Sequence, residues 1–157
     1  MSIFFNDQEI RELIAEEKRV ISDVVDLFSM KNKKGHKESE ISIPRSDGSS
    51  FKIILRQNSK DPLDFSAILA FVPTGKKQDF KLRRYNGKNH QHRNRLHKDK
   101  FYDFHIHTAS EEYQRAGLKE ESFAEVTDRY TNLSEAFECL SKDCNVILPE
   151  DKQLKFL

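Results

Sequence analysis

The sequence predicts an α+β domain: an N-terminal helix, a mainly antiparallel sheet of about five strands, and one or two C-terminal helices. Three observations point there. Apolar residues recur at helical spacing near the N-terminus and capping boxes mark helix starts in the C-terminal third, segments rich in β-branched and aromatic residues fill the middle, and turn residues separate those segments by short connections. At 157 residues the chain suits a single domain with its own core.

The elements follow in order. Asn6 with Glu9 three residues on is a capping-box pattern, and Phe5 can staple against Ile10. Ile10, Leu13, Ile14, Ile21, Val24, Val25 and Phe28 continue at roughly helical spacing, which predicts a helix over 6–30. Residues 31–37 read as a basic linker. The sheet is expected over 38–107. Its first two strands, 40–44 and 51–57, flank Ser46-Asp47-Gly48-Ser49, whose Asp-Gly step signals a hairpin. Residues 65–72 are apolar on both faces, as in a central strand covered on each side. Pro73-Thr74-Gly75 turns the chain into a strand at 78–85, and a basic, histidine-rich loop at 86–100 leads to the last strand. Residues 108–145 are expected to be helical, from capping boxes at Thr108/Glu111 and Asn132/Glu135, and 146–157 form a tail without strong periodicity.

Net charge is only +1, but its distribution is uneven. Residues 81–100 hold eight lysines and arginines against the single acid Asp99, a net of +7, while residues 1–30 (seven acids against three bases) and 109–157 (eleven against six) are acidic. A neutral chain with one strongly basic segment often offers it to an anion. Cys139 and Cys144 lack the spacing of a zinc or redox motif, so free thiols in a reducing, cytoplasmic setting are expected. There is no N-terminal apolar leader and no apolar run long enough for a membrane span. No Gly-rich phosphate loop or nucleophile elbow is present, which argues against nucleotide-hydrolysing and acyl-transfer enzymes.

Five of the six histidines fall between positions 90 and 107. In Phe101-Tyr-Asp-Phe-His-Ile-His-Thr108 the strand period separates Tyr102, Phe104 and Ile106, which suit a core, from Asp103, His105 and His107, which suit an open face. The preceding strand would put Arg83 and Tyr85 on one face, and pairing would join them to the histidines. Three readings compete. Metal is one, because His-x-His gives two imidazoles to a single ion. "DFHIHT" resembles the Asp-x-His-x-His-Thr signature of the PHP metal-dependent phosphoesterases. Those enzymes draw further ligands from a much larger barrel, however, and the 49 residues after Thr108 hold no histidine, so no metal ligand or cofactor is assigned. A second reading is metal-free phosphodiester cleavage, with histidine as acid and base and arginine on the phosphate. The third is an amphipathic strand beside a solvated basic loop that binds anions, or nothing, without turnover.

The run Arg84-Tyr85-Asn86, His90-Gln91-His92 and His97-Lys98 resembles the histidine-rich core of TumE-like toxins from bacterial toxin–antitoxin pairs. The same core through Phe104-His-Ile-His107 also resembles an uncharacterised bacterial family, which implies no activity. The toxin resemblance implies an RNA-directed growth inhibitor neutralised by a protein antitoxin, with Arg84, Tyr85, His90, His92 and His97 as its functional residues.

Taken together, these readings lead us to expect a phosphate-directed protein acting on RNA, in one version a metal-independent ribonuclease toxin. His105, His107, His92 and His97 are its candidate catalytic residues; Arg83, Arg84, Tyr85, His90, Arg93 and Arg95 are its candidate ligand contacts. The alternative is a non-catalytic anion- or nucleic-acid-binding module. Neither version calls for a membrane.

Overall fold

A computed structural model describes residues 3–21, 29–89 and 91–149. Asn6 caps helix α1 (Asp7–Ala15), accepting from the Glu9 amide while the Glu9 side chain returns to the Asn6 amide, so the expected capping box forms. The helix is much shorter than 6–30. It ends at Glu16, whose backbone is extended, because Lys18 turns back and donates to the carbonyls of Ile14 (2.8 Å) and Glu16 (2.7 Å) at the helix end. The same ammonium reaches the Cys144 carbonyl at 2.8 Å. Lys18 is 1% exposed, and burial lowers its pKa to about 8. It opens a two-residue strand, β1 (Lys18–Arg19), and Ile21 is left exposed. Val24, Val25 and Phe28 of the expected stripe lie outside the described residues.

The main sheet has seven strands rather than about five. These are β2 (Lys31–Lys33), β3 (His36–Pro44), β4 (Ser50–Asn58), β5 (Phe65–Val72), β6 (Phe80–Asn86), β9 (His105–Thr108) and β10 (Ala124–Val126). Their spatial order is β10-β9-β6-β5-β4-β3-β2, and every neighbouring pair is antiparallel. The two unforeseen strands are its edges. Residues 31–37 form a hairpin arm instead of a linker, turning at Gly35 with φ +85°. Within the expected helical span, β10 pairs with β9. Inside the basic loop, β7 (His92–Arg93) and β8 (Lys100–Phe101) make a small separate hairpin.

The C-terminal helices are α2 (Glu111–Arg115) and α3 (Leu133–Asp143). The cap of α2 is Ser110, two residues after the expected Thr108; its hydroxyl accepts from the Tyr113 amide at 3.2 Å. Asn132 caps α3 as expected. Beyond α3, the start of the expected tail is ordered: β11 (Val146–Ile147) pairs in parallel with β1.

The core lies between α3 and one face of the sheet. Leu133, Ala136, Phe137 and Leu140 from the helix meet Leu55, Ala67, Leu69 and Phe71, and Ile10 of α1 joins them. Burying each such large side chain stabilises the fold by about 1.5–3 kcal/mol. On β5, Ile68 and Ala70 are also buried, so the central strand is covered on both faces as its composition suggests. A register shift beside Leu69 and Ala70 leaves Leu82 of β6 without an opposite partner. This bulge changes the phase of β6: Phe80 sits opposite Phe71, and Tyr85 opposite Ala67 on the same core face.

Candidate functional site

The β6–β9 register decides which side chains meet. Arg84 lies opposite His107 and Asn86 opposite His105, while Tyr85 lies opposite Ile106 and Arg83 opposite Thr108. The histidines therefore share a face with Arg84 and Asn86. Arg83 and Tyr85, expected beside them, point to the other side. There the Tyr85 hydroxyl donates to Asp143 at 2.7 Å and accepts from Arg83 at 3.0 Å. Arg129 closes this network with a bidentate pair to Asp143 at 2.7 and 2.8 Å. Burial, chiefly, raises the Tyr85 pKa.

The histidine face is not open. His105 is 3% and His107 8% exposed, whereas Tyr102, assigned to the core by alternation, is 64% exposed. Two facts explain the inversion. The strand begins only at His105, so alternation does not govern 102–104, and the basic loop folds back over the histidines. Phe101 of β8 packs 5.4 Å from the His105 ring and 5.4 Å from that of His92.

Asn94 holds the loop down. It is fully buried, and its amide acts as a surrogate strand at the sheet edge: Oδ1 accepts from the Ala124 amide at 2.8 Å, and Nδ2 donates to the Ala124 carbonyl at 2.7 Å and to Asp99 at 3.1 Å. That assignment makes Oδ1 the acceptor for His92 Nε2, at 2.9 Å. The other two rings are oriented the same way. His105 Nδ1 donates to the Asp103 carbonyl at 2.8 Å and His107 Nδ1 to the Glu121 carbonyl at 2.7 Å, since a carbonyl can only accept. In its neutral form each ring thus carries its lone pair on the opposite nitrogen: Nδ1 of His92, Nε2 of His105 and Nε2 of His107.

Those rings form a cluster. Ring centres lie 5.2 Å apart for His92 and His105, 4.7 Å for His92 and His107, and 5.0 Å for His105 and His107. One ligand atom from each lies within 4.8 Å of the others, and no other group of this kind occurs among the described residues. Burial, reinforced by the neighbouring histidines and Arg84, lowers the His107 pKa to about 3, so that ring is uncharged at neutral pH.

A cavity of about 330 Å³ borders the cluster. It is lined by six of the ten residues singled out from the sequence: Arg84, His92, Arg93, Arg95, His105 and His107. Lys119 adds a fourth cation, and Glu121 is its single carboxylate among the described residues. Glu121 is 4% exposed and pairs with Arg84 Nη2 at 2.7 Å, while Arg84 Nε is buried without a hydrogen-bond partner among the described residues. A second cavity of about 400 Å³ shares Arg84, Asn86 and His105 and extends to Asn58 and Ser66.

His97 stands apart. Its Nε2 meets Glu112 at 2.8 Å on the outer side of the loop, and its ring lies 6.0 Å from that of Tyr113. His90 lies outside the described residues. Sequence reasoning missed Asn86, Asn94, Lys119 and Glu121. Asn94 had a faint signal, two residues after His92 and so on the same face of any strand; Lys119 and Glu121 come from a turn with no motif at all. No helix among the described residues is long and apolar enough to cross a membrane. No family model, no curated protein and no solved structure matches this chain.

Proposed function

We propose that the chain is a phosphate-directed protein, and that the cavity between the basic hairpin and β9 receives phosphate groups of RNA. The observation that carries this reading is the cavity lining: four cations against one carboxylate, above a floor of histidines. Arg93, Arg95 and Lys119 are exposed at its mouth, where they attract an anion and hold its oxygens. Arg84 lines the interior, paired with Glu121 at 2.7 Å. The neighbouring cavity offers the amides of Asn58 and Asn86 to the remainder of an extended ligand.

Binding is the version favoured here. Cleavage without a metal needs a base and an acid that titrate near neutrality, and His107, with a pKa of about 3, is a weak base and is not an imidazolium acid at neutral pH. A ribonuclease toxin capped by an antitoxin would use the same basic mouth, and intact RNA after incubation with the protein counts against it. The reading is tested by fluorescence anisotropy of a labelled single-stranded RNA across a salt series. Contacts from Arg93, Arg95 and Lys119 would give a slope of log affinity against log salt of about −2. The double variant Arg93→Ala/Arg95→Ala would bring it to about −0.7 with the fold intact. An unchanged slope and affinity in that variant would overturn the proposal.

A further inference from the structure

We infer that His92, His105 and His107 form a three-histidine site for a divalent metal ion of the zinc class. The site belongs to the same cavity as the phosphate reading but does not depend on phosphate binding.

Orientation is the first argument. Each imidazole is fixed through one nitrogen by an acceptor of the fold itself: the Asn94 amide oxygen, the Asp103 carbonyl and the Glu121 carbonyl. Metal-binding histidines are characteristically held this way, since the outer hydrogen bond sets both the tautomer and the ring angle. The opposite nitrogen of each ring can then carry the lone pair, and one ligand atom from each of the three lies within 4.8 Å of the others. A divalent cation between them would accept a lone pair from each ring. The ion would displace the long contact from Asn86 Nδ2, 3.5 Å from His105 Nε2.

Spacing is the second argument. Imidazoles bound at about 2.1 Å to a tetrahedral ion have ring centres roughly 5 Å apart, and the three separations here are 4.7, 5.0 and 5.2 Å. The three ligands come from two segments, His105 and His107 from β9 and His92 from the β7–β8 hairpin. The ion would therefore pin the hairpin to the sheet beside Asn94. The histidines also line the cavity, so a fourth ligand, water or a phosphate oxygen, enters from that side. The surrounding cations do not forbid the ion: Glu121 neutralises Arg84 at 2.7 Å, and Arg93 and Arg95 are exposed and screened by salt.

The test uses the full-length chain, stripped with a chelator and titrated with cobalt(II) and with zinc. Wild type is expected to bind one equivalent, with the visible bands of tetrahedral cobalt displaced by zinc. His92→Ala, which removes the most accessible ligand, is expected to weaken binding by at least about 100-fold. In wild type, zinc should shift the side-chain ¹⁵N resonances of His92, His105 and His107 together, a readout that needs no variant to fold. Absence of stoichiometric binding, unchanged affinity in a folded His92→Ala protein, or shifts confined to His36 and His97 would each overturn the inference. RNA anisotropy on the stripped protein is scored separately, so failure of the metal site and failure of the phosphate reading remain distinct.

Discussion

Replacing Asn94 by alanine should destabilise the protein and disorganise the histidine cavity together. Its amide makes four hydrogen bonds, to His92, Asp99, and both the amide and the carbonyl of Ala124. Ala124 is fully buried, so alanine at 94 leaves two backbone groups on the edge strand without partners. Each such group costs about 1–2 kcal/mol, giving about 2–4 kcal/mol in all. For a chain of this size that lowers the melting temperature by on the order of 10 °C. Asn94→Asp should be no better. It keeps an acceptor for the Ala124 amide but turns a carboxylate toward the Ala124 carbonyl and Asp99. Thermal melts of both variants supply the stability change, and RNA anisotropy reads the cavity. A fall below about 2 °C in Asn94→Ala would refute the reasoning that this side chain completes the sheet edge.

Two further outcomes follow from the structure. Burial tends to raise the Asp143 carboxyl pKa, but hydrogen bonds from Arg129 and Tyr85 outweigh it and the net shift is downward. Its contribution to stability is therefore complete above the ordinary aspartate range near about 4. It fades as pH falls through the lowered folded value. Asp143→Asn should flatten that part of the pH–stability curve in acid urea titrations; an unaltered acid limb would contradict it. At Gly87 an added Cβ would lie 1.9 Å from the Leu63 carbonyl oxygen. Gly87→Ala should thus cost at least about 1–3 kcal/mol in chemical denaturation, and a neutral effect would show that the loop before β5 yields freely.

The sheet was legible where local chemistry governs it. Asp47-Gly48 closes β3 onto β4, the two-sided apolar run of β5 is the central strand, and Asn6 and Asn132 cap their helices. Distant contacts set the rest. Spacing alone carries α1 on past residue 15; it ends because Lys18 folds onto its last carbonyls and onto Cys144, far along the chain. The bulge at Leu82 leaves no signature in residue types, yet together with the β6–β9 pairing it fixes which of Arg83 and Arg84 faces the histidines. Period-2 alternation placed His105 and His107 together correctly but on the wrong kind of surface, because the covering hairpin is anchored through Asn94 to a strand that begins 30 residues later.

The most direct measurement is side-chain ¹⁵N NMR of the histidines in ligand-free protein, since the account rests on three rings turned inward with fixed tautomers. At neutral pH, His105 and His107 should carry their proton on Nδ1 and His92 on Nε2, with His107 uncharged. Addition of RNA should then perturb these rings. An Nε2–H tautomer at His105 or His107, or a charged His107 at neutral pH, would contradict the arrangement on which the proposed site is built.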